Sequence, residues 1–570
     1  MSPNEPLTIY GLLRRSADRN PSKEYFADVV DDSYRVLTYG DIYQRVRSLS
    51  CGLKQLGLQT GDRLAMMIPN GSLWATIDFA CAQLGVIDVP IHTTYAFQYV
   101  SYTIQHSGAE TLIIQDTFYE KFQSQIAELE LKRIIVVGRK FSDTIDFETL
   151  LTQGSLTEAV EDDNLVHTII YTSGTTAEPK GVMLSHANIV ANIRAASQHI
   201  PIEEEDRFFS FLPLSHVLER TGSLYVSTFF GASVYFSEST ETIARDIKRA
   251  KPTIMLAVPR IFERVYEKII TRVDAGSALK KKMFFLALSL SRKKIKNESL
   301  SGSQQLLLRV LDALVLKKVR ASLGGRLKYV ISGGASLDQK IAKFFQTVGI
   351  LILEGYGLTE CSPIVAVNKS THYKFGTVGP AIPGTEIRLS SDKEILTKGP
   401  SLMRGYYNDE AATGEAIDSD GWFHTGDLGS IDSEGFLTIT GRIKEIIVLS
   451  NGKNINPVAI EIALNRSIYI SQSMVYSPDN KTLKVLLVPN FTELSAWLQG
   501  KNIMADPKSE LDTPAVKELY AKELEEQLKV LSNFEQVREF KLIAEEFTQD
   551  NGLMTPTLKI KRINIIDIYD

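Results

Sequence analysis

Residues 327–357, LKYVISGGASLDQKIAKFFQTVGILILEGYG, are the stretch of sequence that decides the fold. Tyr329 to Ile331 predict a short strand, and a Ser-Gly-Gly-Ala turn follows it. Apolar residues then recur at spacings of three and four, which predicts a helix that ends at Gly349. Residues 350–353 predict a second strand. Because a strand–helix–strand crossover makes its two strands parallel, the loops that follow them lie at the same edge of the sheet.

The order of strand and loop recurs upstream of this unit. Apolar runs at residues 165–171, 208–212 and 253–258 each lead into a loop rich in proline, glycine or hydroxyl residues. Ser185 is placed to cap a helix after the first of them. Ligands in open α/β sheets bind beyond the carboxyl ends of the strands. The five loops therefore predict one shared site.

The pattern changes after about Gly441. Residues 446–449 predict a strand that turns at Asn451-Gly452, and Pro457 is placed to start a helix. A strand at residues 485–488 and an amphipathic helix after Thr513-Pro514 follow. These elements are short and mixed, which indicates a second, smaller α+β domain.

The predicted fold class is α/β. A large N-terminal domain, residues 1–441, has mostly parallel sheets flanked by helices, and residues 442–570 form a small α+β domain. A chain of 570 residues is roughly three to five domains' worth of sequence at about 150 residues each. Its 44% hydrophobic and 23% charged residues are ordinary for a globular protein with a large core.

Composition also excludes several classes of function. The formal net charge of -5 favours neither nucleic acid nor a strongly acidic partner. Cys51, Cys81 and Cys361 have no metal-binding spacing and cannot all pair, which favours a reduced, cytoplasmic setting. The first ten residues lack the pattern of a signal peptide. The uncharged run 221–237 contains eight Ser, Thr or Gly residues and predicts buried core, not a membrane span.

The loop at residues 171–181, YTSGTTAEPKG, is the first motif that carries chemistry. Small residues let backbone N–H groups reach phosphate oxygens, hydroxyls add donors or a metal ligand, and Lys180 supplies positive charge. The order of the usual nucleotide P-loop is absent. The alternative is a flexible polar surface loop, although hydroxyls this dense after a buried strand are unusual.

Three further motifs are weaker when taken singly. In EGYGLTE, residues 354–360, a tyrosine between glycines can lie on a purine and Glu360 is a hard oxygen ligand for Mg²⁺. In GWFHTGD, residues 421–427, Asp427 can accept both ribose hydroxyls, with Arg442 nearby in sequence. Residues 554–562, MTPTLKIKR, are a basic segment. The alternatives are a glycine turn with a solvated acid, an ordinary Asp turn and a basic surface tail.

Together the motifs resemble those of the adenylate-forming superfamily of acyl-CoA synthetases, luciferases and peptide-synthetase adenylation domains, over essentially the full length. Within it, the chain is most similar to the bacterial long-chain fatty acid–CoA ligase group. The resemblance is carried by LPLSHVLER at 212–220, LEGYGLTE at 353–360, IIVLSNGKN at 446–454 and TPTLK at 555–559.

The resemblance implies roles for the matching positions in binding ATP. The β- and γ-phosphates would bind at Thr172, Ser173, Gly174, Thr175, Thr176 and Lys180. The adenine and AMP side would involve Gly334, Ala335, Glu354, Gly355 and Tyr356, and the ribose Asp427 and Arg442. Thr359 and Glu360 would serve the α-phosphate and Mg²⁺, with Thr172 as a second metal contact.

The resemblance also implies roles in the acyl and thiol steps. His216 would lie where the acyl carboxylate enters, although it is otherwise simply a packed loop histidine. Lys444 matches the hinge about which the small domain rotates, and Lys559 the lysine that this domain delivers for adenylation. The thiol channel would open near Gly452.

Two departures from the family pattern matter. Ala177 and Glu178 stand where the phosphate loop usually has another glycine and a variable residue, so the loop is expected to be stiffer and less attractive to anions. The hinge residue is Lys444, where many relatives carry Asp, but the long-chain group tolerates Lys there. Neither departure removes the hydroxyls or Lys180.

The resemblance implies ATP-dependent activation of a long-chain fatty acid to the acyl-adenylate, then transfer to coenzyme A with release of AMP and pyrophosphate. A first alternative is an acyl–acyl-carrier-protein synthetase, which uses the same adenylation chemistry. A second is a non-catalytic acyl-nucleotide sensor, which loss of Lys559, Glu360 or Asp427 would have favoured.

One segment also predicts peripheral membrane binding. Seven basic residues and one acid lie between Lys280 and Glu298, and they flank the apolar run MFFLALSL at residues 283–290. Basic residues around an aromatic-rich apolar patch are typical of an interfacial anchor. The alternative is an ordinary helix, buried against the large domain with a solvated basic rim.

Overall fold

The computed structural model describes residues 7–152, 154–172, 178–450, 453–529, 531–532, 535–549, 551–555 and 559–569. In chain order the strands are β1 (Glu24–Val30), β2 (Ser33–Thr38), β3 (Arg63–Met67), β4 (Ile87–Pro90), β5 (Thr111–Gln115), β6 (Arg133–Val137), β7 (Ile145–Asp146), β8 (Val166–Thr172), β9 (Lys180–Ser185), β10 (Arg207–Ser210), β11 (Ser233–Phe236), β12 (Ile254–Ala257), β13 (Tyr329–Ser332), β14 (Leu351–Gly357), β15 (Ile364–Val367), β16 (Glu386–Leu389), β17 (Glu394–Lys398), β18 (Gly405–Tyr406), β19 (Phe423–Ile431), β20 (Leu437–Arg442), β21 (Ile447–Val448), β22 (Asn454–Ile455), β23 (Ile470–Tyr476), β24 (Lys484–Pro489) and β25 (Glu539–Leu542).

The α-helices are α1 (Ile9–Arg19), α2 (Tyr39–Gln55), α3 (Ser72–Leu84), α4 (Phe97–Ser107), α5 (Asp116–Ile126), α6 (Phe147–Leu150), α7 (His186–Ala196), α8 (Val217–Glu219), α9 (Val226–Phe230), α10 (Ile243–Ala250), α11 (Pro259–Asp274), α12 (Ala278–Ile295), α13 (Gly302–Leu311), α14 (Lys317–Ser322), α15 (Gln339–Val348), α16 (Glu410–Ala416), α17 (Pro457–Leu464), α18 (Phe491–Gly500), α19 (Pro514–Leu528) and α20 (Arg562–Tyr569). Wider π-helical turns span Arg220–Tyr225 and Asp312–Leu316, and 3₁₀ turns span Thr359–Cys361 and Ile443–Glu445. No helix in the described ranges is long and apolar enough to cross a membrane.

The chain divides into two compact units. Unit 1 comprises residues 1–388, 396–424 and 432–437, and unit 2 comprises residues 389–395, 425–431 and 438–570. Unit 2 therefore takes two short stretches from before residue 438. The α/β fold class predicted from sequence is confirmed, because unit 1 is built on two large, mostly parallel sheets.

The first sheet of unit 1 has the strand order β15-β14-β13-β12-β10-β11-β1-β2. Its strands pair in parallel from β14 to β1, and only its two edge strands are antiparallel. The crossover predicted at residues 327–357 is confirmed, since β13 and β14 pair in parallel and α15 lies between them in sequence. The side chain of Asp338 caps α15, and Gly349 ends it in the left-handed region with φ +95°.

The second sheet has the order β18-β9-β8-β4-β3-β5-β6-β7. Strand β8 pairs in parallel with β4 but turns back into antiparallel β9. The hydroxyl-rich loop therefore joins a hairpin in this sheet, whereas the other four loops follow strands of the first sheet. A hairpin needs no crossover helix, and its loop leaves the sheet between antiparallel neighbours. As predicted, Ser185 caps α7.

Helices cover the first sheet through apolar side chains. Phe284 and Leu288 of α12 and Phe344 and Phe345 of α15 are buried in one core cluster with Val330 of β13. Strands buried on both faces read as continuous apolar runs, which is why β12 and β14 were recognisable from sequence. This packing fixes the ends of the central strands, where the polar loops begin.

The predicted elements of the smaller domain are confirmed in unit 2. Strands β21 and β22 pair antiparallel, and Pro457 begins α17. A three-stranded sheet with the order β23-β24-β25 packs with α17 and α19 around a core that contains Leu464, Leu487 and Tyr520. This is an α+β arrangement.

Candidate active site

The β8–β9 hairpin places two of the predicted phosphate ligands side by side. Thr172, the last residue of β8, is the register partner of Lys180, the first residue of β9. Both residues are half-buried, whereas residues 167–171 behind them are buried. The predicted ligands Ser173, Gly174, Thr175 and Thr176 lie outside the described residues. The hairpin thus carries a hydroxyl and an ammonium group at the two ends of the loop.

Tyr406 connects this hairpin to the acidic motif of the first sheet. The Nζ atom of Lys180 lies 4.9 Å from the centre of the Tyr406 ring, a cation–π contact. The Tyr406 hydroxyl donates a hydrogen bond to Oε1 of Glu360 over 3.0 Å. Burial, followed by the negative charge of Glu360, raises the pKa of Tyr406 well above its usual range, so the hydroxyl keeps its proton. Lys180 and Glu360 are thereby brought to one place.

Sequence reasoning missed Tyr406. It lies in Met403-Arg404-Gly405-Tyr406-Tyr407, a segment with no phosphate- or metal-binding pattern. Its partners Lys180 and Glu360 are distant along the chain, so no local spacing links the three. The only local signal was the Gly-Tyr-Tyr sequence itself, and its residue types also fit an ordinary turn or strand.

The adenine-side candidates lie together at the end of β13 and β14. Ser332 of β13 is the register partner of Glu354 of β14, so the two following loops start at the same level. Gly334 has φ +84°, a conformation that favours glycine, and Gly334 and Ala335 are exposed. Tyr356 is half-buried. The structure therefore brings the predicted adenine-side residues to one sheet edge.

Glycine is required in β14 by the close approach of β15. A Cβ atom on Gly355 would lie 3.3 Å from the carbonyl oxygen of Ala366, and one on Gly357 would lie 2.0 Å from that of Pro363. The second distance is impossible for a real side chain, since Cβ contacts below about 3 Å are not tolerated. The packing of β15 against β14 thus explains the glycines on both sides of Tyr356 without any role in nucleotide binding.

Glu354 is directed toward backbone groups. It is buried, and its carboxylate accepts hydrogen bonds from the backbone N–H of Gly376 at 3.1 Å and of Leu337 at 3.4 Å. Burial raises its pKa to about 7 despite these two donors. Glu354 therefore links the loop that follows β13 to Gly376. The role of Glu354 in binding a nucleotide stays a prediction.

Thr359 and Glu360 begin a 3₁₀ turn directly after β14. Thr359 is buried, and the backbone oxygen of Glu360 accepts a hydrogen bond from the N–H of Met403 at 2.8 Å. The side chains of Glu360 and Thr172 offer carboxylate and hydroxyl oxygens, the hard ligands that suit Mg²⁺. Since Mg²⁺ is usually held by one or two carboxylates and substrate phosphates, this donor set fits the metal. Among the described residues there is no group of three or more His, Cys, Asp or Glu that could hold a metal.

His216 caps a short helix beside this edge. Its Nδ1 atom accepts a hydrogen bond from the N–H of Leu218 at 3.2 Å. Leu218 in turn lies 3.4 Å from the position of a Cβ atom on Gly333. His216 is thus held next to the loop that contains Gly334. This geometry agrees with the packed-histidine alternative and leaves the predicted contact with an acyl carboxylate untested.

Arg220 anchors the same segment through a buried charge cluster that sequence reasoning missed. Its guanidinium contacts the carboxylates of Asp78 and Asp88, the latter at 2.6 Å, and all three side chains are at most 1% exposed. Burial favours neutral carboxyls, but Arg220 and His167 outweigh it at Asp78 and lower the pKa of Asp78 to about 2. Removing one member of such a cluster would leave an uncompensated buried charge. The cluster therefore fixes the helix that follows His216 in unit 1.

The predicted ribose pair forms within unit 2. Nε of Arg442 donates a hydrogen bond to Oδ1 of Asp427 over 2.9 Å. Asp427 is buried, and its backbone N–H donates to the hydroxyl of Thr425 at 3.1 Å. A guanidinium that holds one carboxylate oxygen orients the carboxylate, as a hydroxyl-binding site requires.

The predicted hinge residue Lys444 and the predicted adenylation lysine Lys559 are also in unit 2. Lys444 is exposed in the 3₁₀ turn 443–445, and Lys559 is exposed next to Thr555, to which its backbone is hydrogen-bonded in both directions. Arg562, three residues further on, binds both carboxylate oxygens of Glu461 at 2.6 and 2.7 Å. This bidentate pair anchors the segment that carries Lys559 to α17. Gly452, the predicted thiol-channel residue, lies outside the described residues.

Comparison with known proteins identifies the class to which these features belong. The AMP-binding enzyme family profile matches residues 13–407, well over half of the chain. The chain therefore belongs to the AMP-binding enzyme family, which confirms the resemblance recognised from the motifs.

Individual relatives and solved structures agree with this. The chain is 33% identical to the long-chain-fatty-acid–CoA ligase FadD15 of Mycobacterium bovis, over 95% of this chain and 92% of that protein. It is 28% identical to the chloroplastic long-chain-fatty-acid–[acyl-carrier-protein] ligase AEE15 of Arabidopsis thaliana, over 98% of this chain and 85% of that protein. The adenylation domain of a carboxylate reductase from Mycobacterium chelonae shares the fold, with a TM-score of 0.81, 21% identity, and coverage of 100% of this chain and 91% of that chain.

Proposed function

We propose that the protein is an AMP-forming long-chain fatty acid–CoA ligase. The observation that carries the proposal is the meeting of Lys180 and Glu360 around Tyr406. A cation from one sheet and a carboxylate from the other, with Thr172 beside the cation, are the groups that a magnesium–triphosphate complex requires. The similarity to FadD15 over nearly the whole of both chains supports a long-chain acyl substrate and coenzyme A.

ATP is the first substrate in this proposal. The β- and γ-phosphates bind between Thr172 and Lys180, and Thr359 and Glu360 serve the α-phosphate and Mg²⁺. The purine lies against Tyr356 near Gly334 and Ala335, with Glu354 and Gly355 behind it. Asp427, oriented by Arg442, accepts the ribose hydroxyls. Glu360, with Thr172 as a second contact, would hold Mg²⁺, which would supply positive charge beside the phosphates.

Adenylation is an in-line displacement at phosphorus. A carboxylate oxygen of the fatty acid, which enters beside His216, forms a bond to the α-phosphorus, and the bond from that phosphorus to the departing pyrophosphate breaks. The chain contributes by holding the reactants in line and by placing the charges of Lys180 and Lys559 where negative charge develops. No side chain forms a covalent bond to the substrate in this step.

Thioester formation follows at the acyl carbon. The thiol sulfur of coenzyme A, after losing its proton, attacks the acyl carbon of the mixed anhydride, and AMP leaves with the bridging oxygen. We propose that residues 1–441 bind ATP and the acyl chain, whereas residues 442–570 carry the hinge Lys444, Gly452 of the thiol channel and Lys559. Cys51, Cys81 and Cys361 form no disulfide bond with one another and have no role in this chemistry.

We also propose a cytoplasmic enzyme that binds membranes peripherally through the α12–α13 surface. We define this surface by the large exposed apolar side chains of α12, α13 and the π-helical turn that follows, which are Leu279, Phe285, Leu286, Ile295, Leu306, Leu307, Val310 and Leu314. The opposite face of α12 is core, because Phe284, Ala287, Leu288 and Leu290 are buried.

Charge complementarity supports a lipid partner for the α12–α13 surface. Lys280 to Lys282 and the basic cluster of residues 292–296 flank the apolar side chains of α12, and all of these residues are exposed. A basic residue near anionic lipid is worth about 1 kcal/mol. Long-chain fatty acids partition into membranes, so docking there would bring the enzyme to its substrate.

The acceptor of the acyl group distinguishes the main proposal from its alternatives. The purified protein is incubated with ATP, Mg²⁺ and palmitate, and with either coenzyme A or acyl carrier protein, and the products are identified by mass spectrometry. We expect AMP, pyrophosphate and palmitoyl-CoA. Palmitoyl-acyl-carrier-protein alone would favour the acyl-carrier-protein synthetase, which the similarity to AEE15 keeps open. Nucleotide binding without AMP release would favour a sensor.

A further inference from the structure

Tyr406 contacts two proposed site residues that come from different sheets. Its ring lies against the ammonium of Lys180, and its hydroxyl holds one carboxylate oxygen of Glu360. We propose that Tyr406 is a positioning residue, which fixes the Glu360 carboxylate for Mg²⁺ and the Lys180 ammonium for the phosphates. This inference rests on the proposed function, because that function assigns the ligands to Glu360 and Lys180.

The backbone around Tyr406 explains why it can hold both groups. Strand β18 pairs antiparallel with β9, with Tyr406 opposite Val182. The N–H of Tyr407 donates to the carbonyl of Gly181 at 2.7 Å, and the N–H of Met403 donates to the carbonyl of Glu360 at 2.8 Å. The segment 403–407 is thus hydrogen-bonded to the lysine strand on one side and to the glutamate turn on the other.

The side chain of Tyr406 is also restrained. It is 9% exposed, so its ring has little room to take another rotamer. A group that hydrogen-bonds a metal-ligating carboxylate sets the direction of the carboxylate, and loss of such a partner typically costs about 10- to 100-fold in metal affinity or activity. If Tyr406 served only to fill space, its aromatic ring would be sufficient. If Tyr406 positions Glu360, its hydroxyl is required as well.

Three variants separate these two roles. Tyr406→Phe keeps the ring beside Lys180 and removes the hydrogen bond to Glu360, whereas Tyr406→Leu removes both contacts. Tyr407→Phe is the matched control, since it deletes a hydroxyl one residue away. Each variant is first compared with the wild type by melting temperature.

Metal binding is then measured without turnover. Mn²⁺ is titrated into each protein with a non-hydrolysable ATP analogue and no fatty acid, and free Mn²⁺ is followed by electron paramagnetic resonance. We expect Tyr406→Phe to weaken Mn²⁺ binding about tenfold or more, with binding of the metal-free analogue unchanged. Tyr406→Leu is expected to weaken both, and Tyr407→Phe neither.

The result that overturns the proposal is a folded Tyr406→Phe protein with wild-type Mn²⁺ affinity. A second test uses Glu360→Ala as the background. There Tyr406→Phe should have no further effect on Mn²⁺ binding, and an additional tenfold loss would contradict a role through Glu360. Failure of the proposed function is separate, because it shows as absent pyrophosphate release from ATP and palmitate by the wild type, whatever the Mn²⁺ affinities are.

Discussion

At the scale of single residues, Glu219 is a buried carboxyl with two serine hydroxyls beside it. It is 0% exposed, and the side chains of Ser210 and Ser223 lower its pKa, but burial has the larger effect. Burial raises the pKa of Glu219 to about 8. A carboxyl in this environment is therefore neutral at mildly acidic pH and resists losing its proton on the folded chain.

This buried acid predicts a pH-dependent stability. Between the ordinary glutamate pKa of about 4.3 and about 8, the folded protein holds a proton at Glu219 that the unfolded chain has lost. The stability present below this window is therefore lost as pH rises through it, by at most about 1.4 kcal/mol per pH unit. Glu219→Gln is neutral at every pH, so its melting temperature relative to the wild type should rise from pH 5.5 to pH 8.

The control for this prediction is Glu205→Gln, which changes an exposed acid of the same unit. Its melting temperature should stay parallel to that of the wild type over the same pH range. If the Glu219→Gln and wild-type curves also remain parallel, Glu219 is ionised in the folded protein, and the raised pKa is wrong.

At the scale of elements, α12 and α13 predict salt-sensitive membrane binding. Changing Lys280, Lys281 and Lys282 to Glu replaces three attractive charges with repulsive ones beside the exposed apolar side chains. We expect co-sedimentation with vesicles that contain anionic phospholipid to fall strongly for this variant, and wild-type binding to weaken at high salt because the attraction is screened.

The matched control reverses three exposed lysines of unit 2, Lys501, Lys522 and Lys529. It produces the same change in net charge and should leave vesicle binding close to that of the wild type. Equal binding by the wild type and the α12 variant would end the proposal. Leu306→Ser with Val310→Ser tests the apolar part, since both side chains are exposed and their loss costs little core packing.

At the scale of the whole molecule, Lys559 tests the division of labour between the two proposed domains. If Lys559 acts in adenylation alone, Lys559→Ala should reduce acyl-adenylate formation by about 10²- to 10³-fold, the usual cost of losing one contact to transition-state charge. It should spare thioester formation from supplied palmitoyl-adenylate and coenzyme A. The two half-reactions are measured separately, adenylation by pyrophosphate release from ATP and palmitate, and thioester formation by palmitoyl-CoA formation from supplied palmitoyl-adenylate and coenzyme A.

The control is Lys561→Ala, two residues further along the same segment and half-buried. It should preserve both half-reactions. An equal loss of both half-reactions in Lys559→Ala would instead indicate a defect in folding or nucleotide binding, and it would remove the reason for assigning this lysine to adenylation.

The sequence by itself determined the elements and the class of chemistry. The crossover at residues 327–357, the Ser185 cap and the helix that begins at Pro457 all follow from local signals, namely apolar periodicity, capping groups and the fixed φ of proline. The motifs taken together, from the hydroxyl-rich loop before Lys180 to the basic segment at residues 554–562, identified the family correctly. Each of these signals involves residues that are close together in the sequence, so the sequence alone is sufficient to recognise it.

Only the tertiary structure decided which elements meet. It placed the β8–β9 hairpin in a different sheet from β13 and β14, joined Lys180 to Glu360 through Tyr406, and gathered Asp78 and Asp88 around Arg220. These contacts join residues far apart in sequence, and each depends on the burial and strand order of the whole fold. No periodicity or spacing in the sequence encodes such pairings. The partners of a charged side chain are therefore decided only when the tertiary structure forms.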